Sequence, residues 1–188
     1  MKAVYFAIAG LATIAFAAPA PDTVNTSEVN NGHWEVVPGP GLPSLESLGL
    51  TSAELRDPDF LSKNGLEDNL IEDLELEAAM FPPQCQPRYF VPAPIAQARS
   101  CRNYLKNLGN TPCKVTGPGN PNTAETVFCT AGVAQIYGHA APGTSSYCKH
   151  VAIGATWTID NCAKNERVAG VAAAYGNGDL QVAVQKIP

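Results

Sequence analysis

The chain has 188 residues, a formal net charge of −5 and 45% hydrophobic residues, a composition typical of a globular protein. This length allows one modest hydrophobic core with flanking segments. Beyond the first 17 residues, no stretch approaches the roughly 18 consecutive apolar residues that a membrane-spanning helix needs. The composition therefore argues against a membrane-spanning protein, and it gives no specific signal for nucleic-acid binding.

The first 17 residues have the pattern of a secretory signal peptide. Lys2 supplies a positive charge, residues 3–16 are small or apolar, and Ala15-Phe16-Ala17 has the small-x-small pattern of a cleavage site. We therefore predict cleavage after Ala17 and a secreted, extracellular protein.

Charge divides the rest of the chain into two units. Residues 18–80 contain 13 acidic residues against two basic ones, whereas residues 81–188 contain four acidic residues against nine basic ones. All six cysteines lie in the second unit. This division predicts an acidic, mostly disordered leader or pro-segment over 18–80 and a disulfide-rich domain over 81–188.

The acidic unit begins with a stretch that resembles a disordered segment. Residues 18–43 are rich in Pro, Asn, Gly and Ser and are predicted to be extended or disordered. Asn25 begins the only N-glycosylation sequon, in a segment exposed enough to be modified.

Two short helices are predicted after this stretch. Thr51 and Glu54 have the spacing of a capping box, and Pro58 is expected to end that turn. Apolar residues at positions 66, 70, 74 and 78 then predict an acidic amphipathic helix. Two interpretations stay open: a pro-segment that folds against the basic domain, or a solvated spacer.

The second unit is predicted to have the element order α-β-β-α-β-β. The predicted elements are a helix over 95–108, strands over 111–116 and 126–137, a helix capped by Ser145 or Ser146, and strands over 168–176 and 179–186. Gly132 is interpreted as a bulge or kink within one strand, and Asn177-Gly178 predicts a type I′ hairpin turn. The expected fold is α+β, with two helices packed on a four-stranded antiparallel sheet.

All six cysteines are predicted to form disulfide bonds, because an even number in an exported domain of this size indicates full pairing. The six are Cys85, Cys101, Cys113, Cys129, Cys148 and Cys162. Of the 15 connectivities that six cysteines allow, those that join Cys148 to Cys162 are excluded, since 14 residues of continuous helix span about 21 Å. Each bridge is expected to stabilise the domain by about 2–4 kcal/mol.

The sequence nominates no catalytic residue, cofactor site or metal site. Its body histidines, His139 and His150, are interpreted as solvated polar residues, and no ligand pair has zinc-site spacing. Trp157 and Tyr175 are interpreted as core or partly buried residues rather than sugar-stacking platforms. A role for either histidine with Glu125 would make the protein a small secreted hydrolase or ribonuclease.

One helix face carries a candidate basic binding face. Arg99, Arg102 and Lys106 share roughly one side of the first predicted helix. A positive face of this kind can attract an acidic partner. The alternative is a solvated helix face that keeps the protein in solution.

The remaining signal lies in Cys101, Phe128-Cys129 and residues 147–151, 167–170 and 176–180. Together these segments resemble small secreted cysteine-rich proteins of filamentous fungi and, more distantly, the necrosis-inducing-factor family of extracellular effectors. The resemblance covers roughly residues 101–184 and implies helices packed on closing strands. It implies a non-enzymatic, virulence-associated effector that binds a host or extracellular protein or a cell-surface component, without a cofactor. A killer-toxin-like antimicrobial protein, which has the same architecture, is the alternative.

Overall fold

The structure is a computed structural model that describes residues 33–66 and 82–188. The signal peptide, the Asn25 sequon and most of the apolar stripe after Leu66 lie outside these residues. Within the described ranges, no helix is long and apolar enough to cross a membrane.

The described residues form ten strands, two 3-10 turns and three α-helices. In chain order they are β1 (Val36–Pro38), 3-10 turns at Glu46–Leu48 and Glu54–Arg56, α1 (Pro58–Lys63), β2 (Gln84–Cys85), β3 (Ala93–Pro94), α2 (Ile95–Asn107), β4 (Pro112–Lys114), β5 (Ala124–Ala131), β6 (Ala134–Ala140), β7 (Ser145–Tyr147), α3 (Cys148–Cys162), β8 (Arg167–Val168), β9 (Gly170–Ala174) and β10 (Asn177–Lys186). The two long helices lie within a few residues of the predicted ones.

The main sheet has the strand order β1-β5-β6-β10-β9-β2, and every neighbouring pair is antiparallel. Two short ladders, β3 with β8 and β4 with β7, lie beside it. Helices α2 and α3 contact each other and the same sheet. The α+β prediction is confirmed, but this sheet has six strands rather than four, and the described residues contain three α-helices rather than two.

The core lies between the sheet and α2 and α3. Along β10, Leu180, Val182 and Val184 are fully buried, as the two-residue period of a strand requires for its inward face. In β5 an irregularity between Val127 and Cys129 interrupts the register. Phe128 and Cys129 are consecutive and both buried, an arrangement that a bulge permits.

The predicted single strand over 126–137 is instead the β5–β6 hairpin. Its tight turn lies at Gly132 and Val133, and Gly132 has a φ of 54°. A side chain at Gly132 would also meet the amide of Gln97, whose Oε1 accepts a hydrogen bond from Val133 N at 2.9 Å. Gly132 therefore reverses the chain rather than kinking a continuous strand.

The turn of the last hairpin is not Asn177-Gly178. Asn177 pairs with Ala174, so that Tyr175 and Gly176 form the turn, with Gly176 at a φ of 66°. Tyr175 does not have a positive φ, and a type I′ turn needs positive φ at both central residues. Asn177 instead donates a hydrogen bond from Nδ2 to Ser145 O at 2.8 Å.

Neither predicted serine caps α3. Residues Ser145–Tyr147 pair with β4, and the helix begins at Cys148 without a side-chain cap. Two of its first N–H groups are satisfied by the backbone, because Cys148 N donates to Thr111 O and Lys149 N to Gly109 O.

Part of the acidic unit belongs to the fold. Strand β1 pairs with β5 at one edge of the main sheet, so of the two predicted alternatives, extended or disordered, the described residues 33–43 agree with the extended one. The capping box is confirmed by two bonds: Thr51 N donates to Glu54 Oε2 at 2.7 Å, and Glu54 N to Thr51 Oγ1 at 3.2 Å. Pro58 begins α1 rather than ending a turn, because the first helical position needs no N–H.

Three disulfides close the domain. They join Cys85 to Cys162, Cys101 to Cys129 and Cys113 to Cys148. The bonds attach the end of α3 to β2, α2 to β5, and β4 to the start of α3. Full pairing and the exclusion of a Cys148–Cys162 bond are both confirmed.

Candidate functional site

A groove of about 530 Å³ lies between α2 and the N-terminal segment 33–66. Its apolar lining includes Trp34, Leu55, Leu61, Leu66 and Ile95. Its polar lining includes Arg56, Arg99, Arg102, Asn103 and Glu166. We call this the arginine groove. It combines apolar side chains with three guanidinium groups, which suits a ligand that has both apolar and acidic groups.

Hydrogen bonds to α2 hold the N-terminal wall of the arginine groove. Trp34 donates from Nε1 to Ser100 Oγ at 3.1 Å. Asn103 donates from Nδ2 to Leu55 O at 2.9 Å. The Arg56 guanidinium lies 5.1 Å from the Trp34 ring centroid, within the range of a cation–π contact.

The candidate basic binding face is only partly exposed. Arg99 is exposed and Lys106 is half-buried, whereas Arg102 is only 3% exposed. The predicted surface position is therefore wrong for Arg102, because residues of segment 33–66 contact this side of α2. Arg99 and Arg102 both line the arginine groove.

Asn103 adds a buried acceptor to the same groove. The residue is 2% exposed, and its Oδ1 has no hydrogen-bond partner within the described part of the chain. Buried polar atoms are nearly always satisfied by protein, water or ligand. The sequence analysis did not nominate Asn103, since its role depends on Leu55, 48 positions earlier in the chain.

Glu125 and His139 form a pair on the sheet. They are directly opposed on β5 and β6, and His139 Nδ1 lies 3.3 Å from Glu125 Oε1. Their side chains are 60% and 36% exposed, respectively. A carboxylate can orient a histidine for acid–base chemistry, but neither residue lines the arginine groove.

Tyr137 lies beside this pair on β6. Burial and the negative charge of Glu125 raise the pKa of Tyr137 to about 12. The phenol therefore stays protonated at neutral pH, as a hydrogen-bond donor rather than a base.

A third group of polar and aromatic side chains surrounds the start of α3. The His150 ring lies edge-on between Tyr147 and Tyr175, at centroid distances of 5.4 and 5.3 Å. Burial, followed by the charge of Lys149, lowers the pKa of His150. His150 is half-buried, so it is less solvated than the sequence analysis expected. Tyr175 is also half-buried, in agreement with the sequence analysis.

Within residues 33–66 and 82–188, no group of three or more His, Cys, Asp or Glu side chains is placed so that it could hold a metal ion.

Comparison with known proteins places the domain in a family. Residues 83–186 match the model described as a domain of unknown function, DUF8794. No curated protein and no solved structure matches the chain. Segment 33–66 precedes the matched residues, so the arginine groove is formed jointly by α2 of the matched domain and a segment outside it. Because the match covers more than half of the chain, this protein belongs to the DUF8794 family.

Proposed function

We propose that this protein is a secreted, disulfide-stabilised interaction protein that acts outside the cell by binding a partner through the arginine groove. The observation that carries the proposal is the juxtaposition of Trp34 with Arg56, Arg99 and Arg102 around an apolar lining. Tryptophan and arginine are the residue types most enriched among binding hot spots.

Secretion is supported by two independent features. Residues 1–17 have the signal-peptide pattern. Three disulfides suit an oxidising compartment, where they persist. A framework held in this way also keeps the domain rigid, which lowers the entropic cost of binding.

The partner is expected to present carboxylates next to apolar side chains. Among the described residues, Arg56, Arg99 and Arg102 line the arginine groove together with Glu166. Guanidinium groups bind carboxylates through paired hydrogen bonds. An acidic patch on an extracellular protein or a cell-surface component has this chemistry.

The resemblance to fungal extracellular effectors supports a role in host tissue. On that basis we propose a virulence-associated effector that needs no catalysis. Its activity should depend on the shape and charge of the arginine groove, and on the fold that maintains them.

The test compares groove variants with a matched charge change elsewhere. Trp34→Ala and Arg99→Glu should each abolish or strongly reduce the response of host tissue to the purified full-length protein, while circular dichroism and the disulfide count stay unchanged. Arg88→Glu is the control, because Arg88 contacts Tyr89 and does not line the groove. Folded Trp34→Ala and Arg99→Glu variants with full activity would rule out the arginine groove as the binding surface.

Hydrolysis is a second candidate function, favoured by the 3.3 Å separation of Glu125 and His139. If the pair acts in acid–base catalysis, His139→Ala should lower turnover by about 10²–10⁴-fold while the fold survives. The interaction proposal instead expects this variant to keep the tissue response. An inactive but folded His139→Ala protein would favour the hydrolase.

A further inference from the structure

A second cavity, of about 290 Å³, lies where β7, the first turn of α3 and the β9–β10 turn meet. We call it the tyrosine pocket. Its lining includes Ser145, Ser146, Tyr147, His150 and Asn177. The pocket is separate from the arginine groove, with which it shares no lining residue.

Three constraints fix the walls of the tyrosine pocket relative to one another. Asn177 Nδ2 donates to Ser145 O at 2.8 Å, which joins the start of β10 to β7. Tyr175 N donates to His150 O at 3.2 Å, which joins the β9–β10 turn to α3. The Cys113–Cys148 disulfide attaches the adjoining β4 to the first residue of α3. A preformed site of this kind loses little conformational entropy on binding.

The lining excludes a strongly charged ligand. Among the described residues that line the pocket there is no Asp or Glu, so a cation would lack a direct counter-charge. The same described lining contains no Lys or Arg, so an anion would also lack a direct counter-charge. The lowered pKa of His150 keeps its imidazole neutral, and able both to donate and to accept, near neutral pH.

The remaining chemistry is that of hydroxyl, amide and imidazole groups beside aromatic rings. The Tyr147 side chain is 48% exposed and presents an apolar ring with a polar tip. Ser145, Ser146 and Asn177 add hydroxyl and amide hydrogen-bonding groups. A ligand that matches this lining is uncharged, rich in hydroxyl groups and apolar on one face, which describes a sugar ring.

We propose that the tyrosine pocket binds a neutral oligosaccharide, with Tyr147 stacked on a sugar ring and the polar side chains bonded to its hydroxyls. The site is additional to the arginine groove and does not depend on the partner proposed for it. A protein with both sites would bind a glycan surface and a protein partner through different faces.

The test is a titration of the full-length, isotopically labelled protein followed by NMR. The probes are two neutral hexasaccharides, one of β-1,3-linked glucose and one of β-1,4-linked N-acetylglucosamine, and one sulfated hexasaccharide. At least one neutral probe should shift the resonances of residues 145–150 and 175–177 in a saturable way. Tyr147→Ala should weaken binding by about tenfold or more, and Tyr147→Phe, which keeps the ring, by less than about threefold.

Two further variants make the result decisive. Tyr89→Ala is the matched control, since Tyr89 is 85% exposed and lies outside the pocket lining. Should Tyr147→Ala not fold, Ser145→Trp would fill the pocket from an exposed position and should block the same shifts.

Absence of saturable shifts with both neutral probes would overturn the proposal. So would binding of the sulfated probe alone with loss on Lys149→Ala, which would identify an anion site.

Discussion

Segment 33–66 and the disulfide domain 82–188 are attached to one hydrophobic core by different means. The domain has three disulfides, whereas the segment contains no cysteine. The segment is held by the burial of Leu55 and by hydrogen bonds such as the one that Tyr104 Oη donates to Pro43 O at 2.7 Å. The arginine groove lies between the two regions, so its shape depends on segment 33–66, which no disulfide attaches to the domain.

This difference implies that stability and binding are separable. Loss of a disulfide should destabilise the domain as a whole, because the cross-link acts mainly on the unfolded chain. Loss of a contact between segment 33–66 and the disulfide domain should first disturb the shape of the arginine groove. The following predictions test this distinction, from the largest expected effect to the smallest.

Removal of the longest disulfide loop should have the largest effect. The Cys85–Cys162 bond spans 77 residues of sequence. The double variant Cys85→Ala/Cys162→Ala should lower the free energy of unfolding by about 4 kcal/mol, since the cost of loop closure rises with loop length. Chemical denaturation followed by circular dichroism measures the change. A loss below about 1 kcal/mol would show that this bond contributes little to the stability of the domain.

Leu55→Ala tests the segment that has no disulfide. The side chain is fully buried and lines the arginine groove, so truncation should cost about 2–4 kcal/mol and increase hydrogen exchange in residues 95–107. Val37→Ala, at a position 51% exposed in the same segment, is the control and should change little. Equal effects of the two variants would mean that the segment does not rely on Leu55.

Much of the disulfide domain is predictable from local sequence. Ala98, Cys101 and Leu105 are all buried on α2, because apolar residues at helical spacing must share the face that packs on the core. The capping box at Thr51 and Glu54 is equally local, since both partners lie within one turn. The existence of disulfides follows from the cysteine count, but their pairing depends on the folded topology.

The errors in prediction come from contacts between distant parts of the chain. Val36 pairs with Ala131, 95 positions later, and no local pattern in an acidic, proline-containing stretch signals such a strand. Arg102 is spaced like a surface residue, and only the packing of segment 33–66 buries it. The surroundings of His150 have the same cause: Tyr147, the last residue of β7, is close to His150 in sequence, but Tyr175 reaches His150 only through the β9–β10 hairpin.

Tyr104 joins the two regions and predicts a dependence on alkaline pH. Burial raises the pKa of Tyr104 to about 12 from its ordinary value of 10.0. The unfolded chain therefore releases this proton at lower pH than the folded protein, so stability should be full below pH 10 and fall as the pH rises toward 12. Burial of Tyr137, with the charge of Glu125, adds to the same decline.

The variant Tyr104→Phe isolates the contribution of this residue. It should cost about 1 kcal/mol at neutral pH through the lost hydrogen bond to Pro43 O. Between pH 10 and 12 the difference from the wild type should shrink, since phenylalanine has no proton to release. Urea denaturation at a series of pH values measures both effects. A difference that stays constant over this range would show that Tyr104 does not titrate differently in the folded state.

The smallest expected effect concerns the capping box of segment 33–66. The Thr51 hydroxyl accepts from Glu54 N at 3.2 Å and donates to Glu54 Oε2 at 2.9 Å, both at exposed positions. Thr51→Ala should therefore lower stability by only about 0.5–1 kcal/mol, the usual value of such a cap. Ser62→Ala, at another exposed position of the same segment, is the control and should stay within about 0.5 kcal/mol of the wild type. If the segment is held to the domain mainly through Leu55, Thr51→Ala should leave hydrogen exchange in α2 unchanged. An increase in that exchange as large as the one caused by Leu55→Ala would mean that the local turn, rather than the buried side chain, holds the wall of the arginine groove.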